Sequence, residues 1–176
     1  MVGSDKKTKS RGTKLTKLAK KVERKVSSGS PIPIKDFEMR IAKDGVWYHQ
    51  GTPIKRLPLV KLFASVLLKE RDDSYWLVTP VEKGMIEVED APFLAVEVER
   101  VMSKENGSFK TDFSFRTNLD EFVICGPENP LRVNIDPKTQ EPNPYILVRD
   151  GLEAKITRSV FYELIDVANE RIIDGK

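Results

Sequence analysis

The sequence predicts an α+β protein built from two related antiparallel strand–helix halves. Three observations predict it. Short segments alternating apolar and polar residues run from Ser74 to Ile135. Two segments, one after Pro58 and one around Val160, carry apolar residues at helical spacing. An Asp-Gly turn followed by Ile-x-Arg and an apolar helix occurs twice. The 176 residues suit one domain or two small ones, and an apolar content of 39% is enough to fold. We divide the chain into a basic tail over 1–30, an N-terminal α+β domain over 31–90 and a C-terminal domain over 91–176.

Charge separates the tail from the body. Residues 1–30 hold ten basic and two acidic residues, a net of +8. The rest holds 20 basic and 25 acidic residues, a net of −5, so the overall +3 hides a mildly acidic body. That balance disfavours a body that grips nucleic acid over a broad basic face. Within the tail, Leu15, Leu18, Val22 and Val26 fall at helical spacing among lysines, and Ser27-Ser28-Gly29-Ser30-Pro31 ends the pattern. Three readings fit this segment: contact with phosphates, other anionic polymers or an anionic membrane surface, docking on the acidic body, or a partly helical solubilising tail.

The body starts near Ile32. Asp44-Gly45 signals a tight turn, and Val46–Gln50 follows as a short aromatic strand. Gly51-Thr52-Pro53 turns again, and Pro58–Lys69 reads as a well-buried helix with Pro58 in its first turn. Strands are expected over Ser74–Thr79, Met85–Glu89 and Phe93–Met102. Asn106-Gly107 is a hairpin turn, Phe109, Phe113 and Phe115 line the returning strand, and Phe122–Cys125 follows the turn at Asn118-Leu119-Asp120. Leu131–Ile135 and Tyr145–Arg149 are further strands, then Asp150-Gly151 turns into Leu152–Thr157. A final helix carries its stripe on Val160, Phe161, Leu164, Ile165, Ala168 and Ile172.

The repeated motif pairs Asp44-Gly45…Ile54-Lys55-Arg56 with Asp150-Gly151…Ile156-Thr157-Arg158. If Leu57 and Ser159 cap the helices, an arginine precedes each cap, where a cation opposes the helix dipole by roughly 0.3–1 kcal/mol. A compensating partner is expected. It is either an internal carboxylate or an external anion held by the guanidinium and the helix amides.

Several chemistries lack their residues. One histidine, His49, and one cysteine, Cys125, supply neither a zinc ligand set nor a Ser-His-Asp triad with a nucleophile elbow, and no disulfide can form. Cys125 sits beside Val123 and Ile124 and reads as a structural thiol. No glycine-rich phosphate loop is present, and Glu87, Glu89 and Asp90 read as solvated rather than metal-binding. No cofactor and no catalysis are expected. No stretch approaches the roughly 20 apolar residues of a membrane span, and no apolar core follows the first basic residues as a signal requires. A cytoplasmic location is the expectation.

Asp44-Gly45-x-Trp47, Gly51-x-Pro53-Ile54-x-Arg56, Thr79-Pro80-Val81-Glu82 and Val88-x-Asp90-Ala91-Pro92-Phe93 resemble the bacterial domain-of-unknown-function family 1285. Gly126-Pro127-x-x-Pro130-Leu131, Tyr145-Ile146-x-Val148-Arg149-x-Gly151-Leu152 and Arg158-x-Val160-Phe161-Tyr162 extend the resemblance over about residues 32–170. The resemblance implies a duplicated core and a C-terminal half like the pleckstrin-homology fold, a strand barrel with a terminal helix. It also implies a site at the interface of the halves for a nucleotide-like or nucleic-acid ligand, with a role in signal transduction.

The residues expected to build such a site are Arg56 and Arg158 for an anion, with Arg149 as a third. Trp47 and Tyr48 would stack on a ring, and Thr79 and Glu82 would supply polar contacts. For the aromatics core packing competes with this role, and for Glu82 a salt bridge does. The leading expectation is a non-catalytic ligand-binding or regulatory protein. The alternative is an adaptor that offers a strand edge or the final helix to a protein partner.

Overall fold

The alternating segments pair into two six-stranded sheets. The computed structural model describes residues 33–105 and 108–167. The tail with its amphipathic segment, the Asn106-Gly107 turn, and Ala168 and Ile172 of the expected last helix lie outside the described residues.

The first sheet contains β1 (Ile34–Ile41), β2 (Trp47–His49), β3 (Thr52–Pro53), β4 (Leu67–Lys69), β5 (Tyr75–Val78) and β6 (Lys83–Val88), in the order β3-β2-β1-β6-β5-β4. The second contains β7 (Phe93–Glu105), β8 (Ser108–Thr117), β9 (Phe122–Ile124), β10 (Leu131–Ile135), β11 (Pro142–Arg149) and β12 (Leu152–Ile156), in the order β10-β11-β12-β7-β8-β9. Each sheet is two antiparallel three-stranded meanders joined by one parallel pair, β1 with β6 and β12 with β7. In both, the first and last strands of the set meet at the centre. The two-half architecture therefore stands, with more strand than helix.

Among the described residues there are two helices, α1 (Leu57–Ala64) and α2 (Arg158–Ile165). α1 is shorter than the sequence predicts. Ser65 donates its hydroxyl to the Leu62 carbonyl, 2.7 Å away; its backbone N–H donates to the Lys61 carbonyl and that of Val66 to the Phe63 carbonyl. Leu67, expected in the helix, instead pairs with Leu77 in β4 and is fully buried. Nor is α1 buried all round: Val60 and Ala64 are covered, while Leu62 is 60% exposed. β1 is an element the sequence reading does not assign.

The local echo is real in its turns. Gly45 and Gly151 both adopt φ +77°, the left-handed conformation that glycine takes without steric cost. It does not, however, set the register of the duplicated sheets. By strand order β1 corresponds to β7, whereas the echo matches the β1–β2 turn with the β11–β12 turn.

Both halves contribute to one buried core. Ile41, Trp47, Ala64 and Leu67 from the first and Phe93, Phe115, Ile146, Leu152 and Val160 from the second belong to the same cluster. Each large side chain removed from water there contributes roughly 1.5–3 kcal/mol. Polar contacts cross the same boundary. Asp90 accepts from the Tyr145 hydroxyl at 2.8 Å and from Lys155 at 2.6 Å, and Lys61 pairs with Asp120 at 2.5 Å.

Candidate functional site

A bulge in β1 opens the site. The Asp36 carboxylate accepts the Glu38 backbone N–H at 2.8 Å and holds Glu38 at φ +46°, so the register against β6 shifts between Asp36 and Arg40. A non-glycine residue in that region costs roughly 1–2 kcal/mol. The Glu38 carbonyl is satisfied from across the sheet, accepting the Gln50 N–H at 2.9 Å. Opposite the bulge, Thr79 fixes the β5–β6 turn. Its hydroxyl accepts the Glu82 N–H at 3.1 Å and donates to the Glu82 carbonyl at 3.0 Å.

Between these two turns and α1 lies a cavity of about 340 Å³. Phe37, Met39, Ile54, Leu59, Phe63, Val66 and Leu77 form its apolar wall. Asp36, Glu38, His49, Gln50, Thr79 and Glu82 supply polar groups. A second cavity of about 510 Å³ shares Asp36, Glu38 and Met39 with the first and adds Arg40, Tyr48, Met85 and Glu87.

The cations here are already engaged. Lys35 pairs with Glu82 at 2.6 Å, and Arg40 pairs with Glu89. Asp36, Glu38 and Glu87 have no cationic partner among the described residues. The field around both cavities is therefore negative, and the larger share of the wall is apolar.

Two of the seven residues expected to form a site line the first cavity, Thr79 and Glu82. Thr79 spends its hydroxyl on the turn, and Glu82 pairs with Lys35 rather than with an arginine. Trp47 and Tyr48 point to opposite faces of β2, as strand alternation requires. Trp47 is 1% exposed, its ring stacks on Phe63 with centroids 6.4 Å apart, and its buried indole N–H has no partner among the described residues. Its ring is core and is not open to a base. Tyr48 lines the second cavity, with the Arg40 guanidinium 4.5 Å above its ring.

The three arginines do not converge. Arg149 joins the halves internally: it donates to the Ala64 carbonyl at 2.7 Å and pairs with Glu121 at 3.2 Å, over the Phe93 ring. Arg56 is itself the α1 cap residue, and Arg158 is the first residue of α2, after Thr157. Neither helix has an acidic residue in its first turn or a side-chain cap. Arg158 has Glu141 3.5 Å away, both side chains being exposed, and Arg56 has no ion pair among the described residues. Neither described cavity includes any of the three.

The residues the sequence reading missed are those of β1. Asp36, Phe37, Glu38 and Met39 carry the cavity, and the one signal available was the apolar spacing of Phe37, Met39 and Ile41.

A two-sheet α+β fold with one helix beside a bulged strand and an apolar, acid-rimmed cavity is the class these features define. The chain belongs to the DUF1285 family: residues 25–91 match the domain of unknown function (DUF1285), N-terminal domain, and residues 92–176 match its C-terminal domain. It is similar to the crystal structure of a DUF1285 family protein from Silicibacter pomeroyi DSS-3. The two are 43% identical with a TM-score of 0.71, over 88% of this chain and 85% of that one. It is also similar to a DUF1285 family protein from Shewanella baltica OS155, 28% identical with a TM-score of 0.56, over 74% of this chain and 92% of that one. Among curated proteins none matches the chain.

Proposed function

We propose that this chain is a non-catalytic binding protein that takes a small, mainly apolar molecule with a cationic or hydrogen-bond-donating end in the cavity beneath β1. The observation that carries the reading is the make-up of that cavity. Its volume of about 340 Å³ falls within the usual range for small-molecule sites. Its wall is apolar, and the carboxylates of Asp36 and Glu38 in its lining have no cationic partner among the described residues. Such a rim repels an anionic head group and favours an ammonium.

The test is a thermal-shift series with n-alkylamines and n-alkanoates of matched length. Amines should raise the Tm, and saturation at a hundred times the Kd corresponds to roughly 2.7 kcal/mol. Glu38→Gln should weaken the effect, and Leu59→Trp, which fills the cavity, should remove it. Equal responses to amine and carboxylate, or none to either, defeat the reading.

A second reading, an anion or nucleotide site in a signalling protein, is favoured by Arg56, which stands at a helix start without an ion pair among the described residues. Inorganic phosphate and nucleotides in the same series address it, through a stabilisation lost in Arg56→Ala.

A further inference from the structure

The second sheet ends on β10, which has no further strand beside it among the described residues. Of the four strands that terminate the two sheets, β3 has two residues and carries Pro53, β4 and β9 have three each, and β10 has five. An edge strand is a template for further pairing, and proteins blunt it with shortness, proline, charge or a bulge. β10 is left open. Leu131 to Ile135 pair with β11 without a register shift, and Pro130 and Pro137 lie outside them. The one charge, Arg132, is neutralised within the chain, donating to both carboxylate oxygens of Glu153 at 2.6 Å. Leu131, Val133 and Ile135 are 37%, 47% and 50% exposed. They share a sheet face with the fully buried Ile146, so the core face runs out to this edge.

The hydrogen-bond phase is fixed. The Leu147 N–H donates to the Pro130 carbonyl at 3.1 Å, so residues 130, 132 and 134 turn their backbone groups towards β11. The prolines of β11 agree: Pro142 and Pro144, which have no N–H, stand opposite Ile135 and Val133. The N–H and carbonyl groups of Leu131, Val133 and Ile135 therefore point away from the sheet, with no strand partner among the described residues.

This edge is complementary to itself. In an antiparallel pair of two copies centred on Val133, Leu131 of each copy meets Ile135 of the other, and the two Val133 residues meet. Each copy offers three N–H groups and three carbonyls in phase, so six hydrogen bonds close. Arg132 falls opposite Asn134, and Asp136 opposite Pro130, so no like charges meet. Centring on Arg132 would set arginine against arginine, which is destabilising. Centring on Asn134 would set Leu131 against Pro137, which has no N–H to give. Bonding, apolarity and charge thus select one register, and its two-fold symmetry closes at a dimer.

We propose that β10 is a self-association edge: two copies of this chain pair antiparallel through Leu131–Ile135 about a two-fold axis at Val133. Two six-stranded sheets then become one of twelve strands. The edge lies in the second sheet, away from the cavity beneath β1, so the proposal is independent of the ligand reading.

The experiment uses the full chain. Sedimentation velocity between about 1 µM and 1 mM should show a monomer–dimer equilibrium and nothing larger. Val133→Pro removes an N–H that only the dimer uses, at an edge position that tolerates proline. This variant should stay monomeric and keep the parent's circular dichroism spectrum. Asn134→Asp, opposite Arg132, should tighten the dimer several-fold, and Asn134→Lys should loosen it several-fold. In a Cys125→Ser background, Val133→Cys should form a disulfide-linked dimer on mild oxidation, because the α-carbons of that pair stand about 5.5 Å apart. Leu131→Cys alone should not, its two copies being about 13 Å apart along the strands. A mixture of Leu131→Cys and Ile135→Cys chains should cross-link.

A parent chain that stays monomeric across the range overturns the proposal. So does a Val133→Pro dimer as tight as the parent's, or assembly beyond the dimer, which marks an open pairing of β10 with a different edge. Asn134 variants that shift the equilibrium in the same direction, or not at all, also overturn it, since this register alone sets residue 134 against Arg132. Should Val133→Pro fail to fold, the Asn134 variants and the cross-links still decide the matter.

Discussion

Gly84 is the position where one added methyl group tests the architecture of the site. It lies in β6, opposite Lys35 in the parallel pair and Leu77 in the antiparallel one. A Cβ at Gly84 meets Phe37 Cε2 at 2.5 Å and the Lys35 carbonyl oxygen at 2.8 Å, with Phe37 Cδ2 nearer still. Ordinary contact is about 3.5–4.0 Å between carbons. The Phe37 ring must move, and the cavity it lines gives it room. The Lys35 carbonyl is backbone in the β1–β6 ladder and yields only if the strands separate. Overpacking of this kind costs about 1–3 kcal/mol, which lowers the Tm by roughly 2–12 °C at this chain length. Urea unfolding of the parent, Gly84→Ala, Phe37→Ala and the double variant supplies the assay. If the ring is the main obstacle, the double variant is more stable than the sum of the single losses implies, because Phe37→Ala removes the clash. A Gly84→Ala protein as stable as the parent refutes the reasoning, and strictly additive losses assign the cost to the Lys35 carbonyl.

Two further outcomes follow from contacts that join the halves. Arg149→Met leaves the buried Ala64 carbonyl and the Glu121 carboxylate without their donor, and should cost about 2–4 kcal/mol in urea unfolding. Arg149→Lys should restore only part of this, since an ammonium cannot reproduce the planar fork. Burial, and then the hydrogen bond to Asp90, push the Tyr145 phenol up from 10.0 to about 12. Because its folded pKa is raised, its contribution is fully present below pH 10 and is lost as the pH rises from 10 towards 12. The stability difference between the parent and Tyr145→Phe should shrink across that window, and a constant difference contradicts it.

How much of this was legible in the sequence depends on which rule dominated locally. β6 and the long β7–β8 pair alternate cleanly because one face of each is core, so period two shows in the residues themselves. The β1 strand has the same apolar spacing at Phe37, Met39 and Ile41, but its partner β6 is 40 to 50 residues away and its bulge breaks the pairing at Glu38. Nothing local announces a long-range parallel strand. The sequence predicts α1 too long because Val66 and Leu67 continue an apolar run that serves equally as helix or strand. The pairing of Leu67 with Leu77, a tertiary fact, decides it. The site followed the same division. Thr79 and Glu82 stand out in a turn with its own hydrogen-bonding logic, whereas the Asp36–Met39 wall exists only once β1 is placed. The arginines stand out because they contradict the helix dipole, a rule that marks a residue as unusual without saying what it faces.

The sheet symmetry shows what the cavity beside β1 owes to helix placement. The strand orders of the two sheets are the same when β1 is matched with β7, yet the helices interrupt them at different points. α1 is inserted between β3 and β4, so Leu59 and Phe63 stand across from the β1 bulge and complete a wall. The corresponding connection in the second sheet, between β9 and β10, is the non-helical stretch from Cys125 to Pro130. The second helix follows β12 at the end of its set, where Val160 packs into the shared core. The cavity between β1 and α1 therefore depends on the placement of one eight-residue helix. Changes to α1 that spare Val60 and Ala64 should alter binding before they alter folding.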